Sequence, residues 1–152
     1  MILLTPELHA ALRVNAAAHR YAMQSGTQEP DPAPVVKFFN PLGAATWLAT
    51  ELYDDDDTLF GLADLGFGCP ELGCFSLSEL AGIRLPFGLQ IERDIGFSTT
   101  ASLSVWADTA RRCWEACDSQ QGSISQARSI IWRIESAPVP EIPTDPKPGK
   151  GG

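Results

Sequence analysis

Leu59-Phe60-Gly61-Leu62-Ala63-Asp64-Leu65-Gly66-Phe67-Gly68-Cys69-Pro70-Glu71-Leu72-Gly73-Cys74-Phe75-Ser76-Leu77-Ser78-Glu79-Leu80 decides the fold. An apolar run over 59–65 reads as a strand, and the Gly/Pro-rich segment 66–72 reads as a wide turn. Gly73-Cys74-Phe75 reads as a short return strand. Ser76-x-x-Glu79 then matches a capping box, in which hydroxyl and carboxylate satisfy the first free amides of a helix. That helix is expected from Leu77 to about 82–84.

Upstream, Pro34-Val-Val-Lys37-Phe-Phe is β-branched and aromatic and reads as a strand. Asn40-Pro41-Leu42-Gly43 marks a turn. The segment 45–52 alternates, with Ala45, Trp47, Ala49 and Glu51 on one face. Four adjacent aspartates, Asp54 to Asp57, repel one another and belong in a solvated loop. Leu89 to Asp94 reads as a last strand.

Helices flank this run. Thr5 is a natural N-cap and Pro6 fits the first helical position, so a helix is expected over 5–24. Its stripe is Leu8, Leu12, Asn15, Ala16 and His19. A polar linker with prolines covers 25–34. Ser102 caps a helix over 103–116, with Val105, Trp106, Thr109, Cys113 and Cys117 on one face. A final helix spans 123–135, with Ile124, Ala127, Ile130, Ile131 and Ile134 at helical spacing. The order predicts an α+β domain over 1–136. A mainly antiparallel sheet of about five strands carries an N-terminal helix and C-terminal helices, expected on one sheet face. The segment 137–152, rich in Pro and Gly, reads as a disordered tail.

The chain has 152 residues, 44% of them hydrophobic, enough for one modest core. Its net charge is −8, with Lys and Arg together numbering 11 against 19 acids, which disfavours general nucleic-acid binding and suits a basic partner. No apolar run is long enough to span a membrane. The first residues lack a basic region, so no signal peptide is read and a cytoplasmic location is expected.

Familiar catalytic patterns are missing: no P-loop, GxGxxG, GxSxG or HExxH occurs. Cys69, Cys74, Cys113 and Cys117 follow C-x4-C and C-x3-C spacings, unlike a zinc ribbon, and read as reduced, small buried thiols. His9 and His19 lie about 15 Å apart along one helix, too far to share a metal. Carboxylates are the remaining candidates for catalysis: Glu51, Asp64, Glu71, Glu92 and Asp94 sit on strands or strand ends. Were they to converge, they would bind Mg²⁺ or Mn²⁺ and support phosphodiester hydrolysis, with Lys37 as a cation. The ordinary alternative is strand-edge charge paired with Lys37, Arg84 and Arg93. Asp64 interrupts an apolar run, so it either faces water or is a buried anchor for the 66–72 turn. In the second case the turn has a fixed shape and is a candidate recognition surface, with Trp47, Phe67, Glu71 and Lys37 as binding residues. A core role for Trp47 competes with that.

The set Pro34-Val-Val-Lys37-Phe-Phe, Ala45-Thr-Trp47-Leu, Glu51-Leu, Gly61-Leu-Ala-Asp64-Leu-Gly-Phe-Gly68, Pro70-Glu-Leu-Gly73, Ser76-Leu-Ser-Glu79-Leu and Ile91-Glu-Arg-Asp94 resembles the domain-of-unknown-function family number 2958. The resemblance covers about residues 1–112. It leaves the helix near 120–136 and the tail as additions. It implies a small bacterial protein of plasmids, integrated elements and phages, and it implies no activity and no catalytic residue. The expectation is a non-enzymatic accessory protein of a mobile element that binds a protein partner and needs no cofactor. The alternatives are a metal-dependent phosphodiesterase or nuclease using the carboxylates above, and nucleic-acid binding should Lys37, Arg84, Arg93, Arg111 and Arg112 cluster.

Overall fold

In a computed structural model, residues 2–116 and 122–138 are described. The expected tail from 139 onward, and Cys117, lie outside the described residues. The element order is α1 (Pro6–Ser25), β1 (Val36–Phe39), β2 (Thr46–Leu52), β3 (Thr58–Asp64), β4 (Glu71–Ser76), α2 (Leu77–Gly82), β5 (Glu92–Arg93), α3 (Leu103–Ala116) and α4 (Ser123–Glu135), with a 3₁₀ turn at Pro86–Gly88. The architecture is α+β.

The caps sit where the side chains dictate. Thr5 Oγ1 accepts from the Leu8 amide at 3.3 Å, and Gly26, at φ 64°, closes α1 in the left-handed conformation that glycine adopts without strain. Ser76 Oγ accepts from the Glu79 amide at 3.1 Å. The start of α3 has two caps. Ser102 Oγ accepts from the Val105 amide at 3.5 Å, and Asp31 of the linker accepts from the Ser104 amide at 3.1 Å.

The five strands are all antiparallel, in the order β4-β3-β2-β1-β5. Three hairpins build β1 to β4. The chain then crosses back through α2 and pairs β5 with β1 at the far edge. The pairing is longer than expected at β4, where Glu71 and Leu72 already pair with Ala63 and Leu62. It is shorter at β5, because Leu85 donates to the Leu89 carbonyl at 2.9 Å and closes 85–89 into a loop. Gly61 is dictated by packing. A Cβ there would lie 1.7 Å from the Leu48 carbonyl oxygen, so only glycine lets β3 approach β2 at this point.

Helices cover both faces of the sheet, not one as expected. Every residue of β2 is buried, the pattern of a strand covered on both sides. On one side Val36, Phe38, Trp47, Ala49, Leu52 and Leu59 pack with Leu3, Leu12 of α1, Leu80 of α2 and Ile91. On the other, Leu48 and Leu62 pack with Leu103, Trp106, Ala107, Ala110 and Cys113 of α3 and Ile124, Ala127 and Ile131 of α4. Each large apolar side chain withdrawn from water in these layers contributes roughly 1.5–3 kcal/mol. The helix faces differ in detail from the spacing: Val105 is exposed because the α3 stripe runs through 103, 106, 107, 110 and 113 instead, and Ile130 and Ile134 are exposed because α4 buries the face of Ile124, Ala127 and Ile131.

The aspartate loop is solvated and also engaged at every position. Asp54 pairs with Arg13 at 2.9 Å and with Arg20 at 2.6 Å, and Asp56 meets His9 at 3.1 Å. Asp55 accepts from Thr58, whose hydrogen bonds hold its carboxyl near pH 2. Asp57 accepts from Ser76 Oγ at 2.7 Å and the Ser78 amide at 2.8 Å, a second cap for α2. The run therefore ties α1 and α2 to the β2–β3 hairpin.

Candidate functional site

The candidate residues fall into three separate places. The first is beneath α1. Glu51 is 4% exposed and accepts from His19 Nδ1 at 3.0 Å. The other His19 ring nitrogen lies 3.5 Å from Glu29. Burial pushes the Glu51 carboxyl above the usual range, against the pull of His19. Tyr53 lines the same hollow of about 250 Å³, and burial, with the Cys74 thiol 3.7 Å away, pushes its phenol up to about 12.

The second place is the end of the sheet where the β3–β4 turn sits. Asp64 is 2% exposed. Its Oδ1 accepts from the Gly66 amide at 2.9 Å, and its Oδ2 accepts from Ser123 Oγ at 2.6 Å and the Ile124 amide at 3.3 Å. One carboxylate thus anchors the turn and caps α4, a helix contributed from 59 residues downstream. Gly122 completes the joint: a Cβ there would lie 2.7 Å from the Ala44 carbonyl oxygen. Within the turn Gly66 and Gly68 have φ of 84° and 76°, and Pro70 is buried. The result is a fixed turn whose outer side chains are apolar. Phe67 is 78% exposed, and Leu65, Leu72 and, on the adjacent β1–β2 turn, Leu42 are each about half exposed. Glu71, which opens β4, is also exposed. Ala44 brings the two turns together, and an open groove of about 600 Å³ runs on between Pro41, Leu42 and Ala44 and the Gly122 to Ser129 side of α4.

Trp47 is not part of this surface. It is 6% exposed and belongs to the core beneath α1. Lys37, on β1, is 8% exposed and points to the α4 side of the sheet.

Lys37 marks the third place, a cleft of about 510 Å³ among β1, the β5 end and α4, lined also by Phe39, Glu92, Arg93, Asp94, Ile95, Gly96 and Arg128. Here the sequence candidates Lys37, Glu92 and Asp94 do meet. Asp94 Oδ2 lies 3.4 Å from Lys37 Nζ and 3.1 Å from an Arg128 nitrogen, and its Oδ1 accepts from the Gly96 amide at 3.1 Å. Arg128 was not a sequence candidate. It lies on α4, and only the sheet geometry brings that helix over β1.

The five candidate carboxylates therefore do not share one pocket: Glu51 lies under α1, Asp64 and Glu71 at the β3–β4 end, and Glu92 and Asp94 at the β5 edge. Among the described residues no three His, Cys, Asp or Glu side chains are grouped as a metal-binding set. Two members of the proposed basic cluster use their guanidinium groups on backbone carbonyls: Arg84 on Ala81, and Arg93 on Ile2 and Leu3. Among the described residues no helix is long and apolar enough to cross a membrane.

A family model described as "Protein of unknown function (DUF2958)" matches residues 3–115. No curated protein and no solved structure matches the chain. The match ends at α3, so Arg128 and the Ser123 end of the Asp64 joint come from outside the matched span.

Proposed function

We propose that this chain, which belongs to the DUF2958 family of proteins of unknown function, is a non-catalytic binding module. It uses the β3–β4 turn to hold a basic, partly apolar segment of a protein partner. The observation that carries this reading is Phe67. Among the described residues, a phenyl ring at the tip of a turn fixed by a buried carboxylate is left 78% exposed. Exposed aromatic side chains on preorganised turns are the kind that anchor interfaces, because little conformational entropy is lost when they dock. Leu42, Leu65 and Leu72 extend the apolar contact, and Glu71 at its edge, in a chain of net charge −8, favours a Lys- or Arg-bearing partner. In this reading the setting is a bacterial mobile element, where a small accessory protein acts by occupying another protein.

Selection of random peptides on the immobilised full chain tests the reading. Enriched sequences should combine basic residues with an aromatic or branched aliphatic residue. Phe67→Ala combined with Glu71→Ala should weaken the selected peptides at least about tenfold, the loss of one anchor worth roughly 1.4 kcal/mol or more. Peptides that bind the double variant as tightly as the wild type would overturn the proposed surface.

A further inference from the structure

We propose that the partner segment binds as an added strand along the outer edge of β4, antiparallel to it, with apolar and basic residues in alternation. This mode of binding rests on the proposed turn surface for the partner's class and adds the conformation in which that partner is held. β4 and β5 are the two edges of the sheet. An unpaired row of amides and carbonyls is a template for another chain, so natural edges are blunted by shortness, Lys, Pro or a bulge. β5 is blunted by its length of two residues. β4 has six residues, Glu71 to Ser76, with no Lys, Arg or Pro among them, and it pairs with β3 in unbroken register. The register shift in the sheet lies between β2 and β3 instead.

The free row belongs to particular residues. The Tyr53 amide donates to the Thr58 carbonyl at 2.8 Å, so Thr58 turns its backbone toward β2. Backbone direction alternates along a strand, so Leu59, Gly61 and Ala63 turn toward β4, and their partners Phe75, Gly73 and Glu71 turn inward to meet them. Leu72 and Cys74 are left with N–H and C=O pointing outward. Among the described residues no turn, loop or cap hydrogen bond reaches them. An antiparallel strand would exchange both bonds with each. Their side chains share the face of their partners Leu62 and Phe60, which α3 and α4 cover. That cover stops at β3: Leu62 is 1% exposed and Leu72 is 46% exposed. Apolar residues of the added strand would lie against Leu72 and Cys74 there. On the opposite face Glu71 is exposed, and Gly73 next to it carries no side chain, with nothing within 4 Å of where a Cβ would stand. That open strip lets a Lys or Arg side chain cross toward Glu71. Charge also selects a foreign basic segment over a second copy, because two chains of net charge −8 repel each other.

The test is hydrogen exchange of the isotope-labelled full chain, read by NMR, with and without the tightest peptide selected on it. In the free chain the Leu72 and Cys74 amides should exchange quickly, and those of Gly73 and Phe75 slowly. Saturating peptide should slow exchange at Leu72 and Cys74 by at least about tenfold. Cys74→Pro should weaken the peptide by about tenfold or more, since it removes an outward N–H, while Cys74→Ala should bind as the wild type does. The outward amide takes no part in the β3–β4 ladder, so proline there is compatible with folding. Should Cys74→Pro unfold, protection of the two amides in the wild type decides alone. A peptide that loses affinity with Phe67→Ala yet leaves both amides unprotected would overturn the added strand and leave the turn surface standing. Protection of both amides by a peptide indifferent to Phe67→Ala would refute the turn as anchor and keep the strand. Failure to select any peptide would remove both. Protection that grows with protein concentration in the absence of peptide would assign the edge to a second copy and overturn the choice of occupant.

Discussion

Asp64→Asn isolates the joint on which the turn and α4 both depend. The wild-type carboxylate receives three donors, two on Oδ2 and one on Oδ1, in a residue 2% exposed. An amide has one acceptor oxygen. Turned toward α4, it presents its NH₂ to the Gly66 amide, and turned toward the turn it presents NH₂ to Ser123 and Ile124. Either way at least one buried donor loses its acceptor. A hydrogen bond to a charged group contributes about 1.5–3 kcal/mol, and some is regained because a neutral amide is cheaper to bury. The expected loss is about 2 kcal/mol for Asp64→Asn and about 4 kcal/mol for Asp64→Ala. For a chain of this size those losses lower Tm by about 4–8 °C and 8–16 °C. Urea unfolding followed by circular dichroism measures both. Hydrogen exchange should show the Gly66 and Ile124 amides opening together. Asp64→Ala combined with Ser123→Ala should be less destabilised than the sum of the single variants by at least about 0.5 kcal/mol, as contacting residues are. Asp64→Ala within about 0.5 kcal/mol of the wild type would refute the reasoning.

Three further outcomes follow from the packing and the charges. Gly61→Ala places a methyl group where the Leu48 carbonyl oxygen stands, so it should cost more than about 3 kcal/mol or prevent folding; an unchanged urea midpoint would refute this. Hydrogen bonds depress the Asp54, Asp55 and Asp57 carboxyls, so their stabilisation is present above about pH 4 and is lost as pH falls through the folded values, to about 2 for Asp55. Melting between pH 2 and 5 should show that loss, and Asp55→Asn should flatten it. Glu51 has the opposite sign: its raised carboxyl favours the fold at low pH and that contribution is lost as pH rises through the folded value. The stability of wild type relative to Glu51→Gln should therefore fall as pH rises from below the ordinary carboxyl value of 4.5, as urea midpoints measured on either side of the rise will register.

Local chemistry was the most readable layer of this sequence. Thr5-Pro6 and Ser76-x-x-Glu79 marked two helix starts, and the hairpin order followed from turn residues between β-branched runs. What failed were judgements that need the third dimension. Leu89 to Asp94 alternates like a strand, yet Phe87, at a φ of 64°, bends the preceding segment into a closed loop, and only Glu92 and Arg93 pair. Ile130 and Ile134 share a helical period with Ile131 but lie beyond the contact edge of α4. Coverage of both sheet faces had a signal that alternation obscured: the segment 46–52 carries few strongly polar residues on either face. Mutual repulsion of Asp54 to Asp57 was enough to place the loop. It could not show that Arg13, Arg20, His9 and Ser76 wait opposite, because those residues are brought in by α1 and by the end of β4 that caps α2. The apolar neighbours of Asp64 left it either facing water or a buried anchor, and burial decides for the anchor, whereas its cap on α4 depends on a helix 59 residues away. For the same reason Lys37, Glu92 and Asp94 could be nominated from sequence and Arg128 could not.

The turn surface is tested most directly by mapping where a selected peptide sits. Amide shifts of the labelled chain should be recorded with such a peptide bound. The account predicts that the largest changes fall on Leu42, on Leu65 to Leu72 and on the adjoining start of α4, and vanish in the Phe67→Ala variant. Changes concentrated instead on the outer face of α1, around Val14, Tyr21 and Met23, or on Trp132 and Ile134, would contradict it.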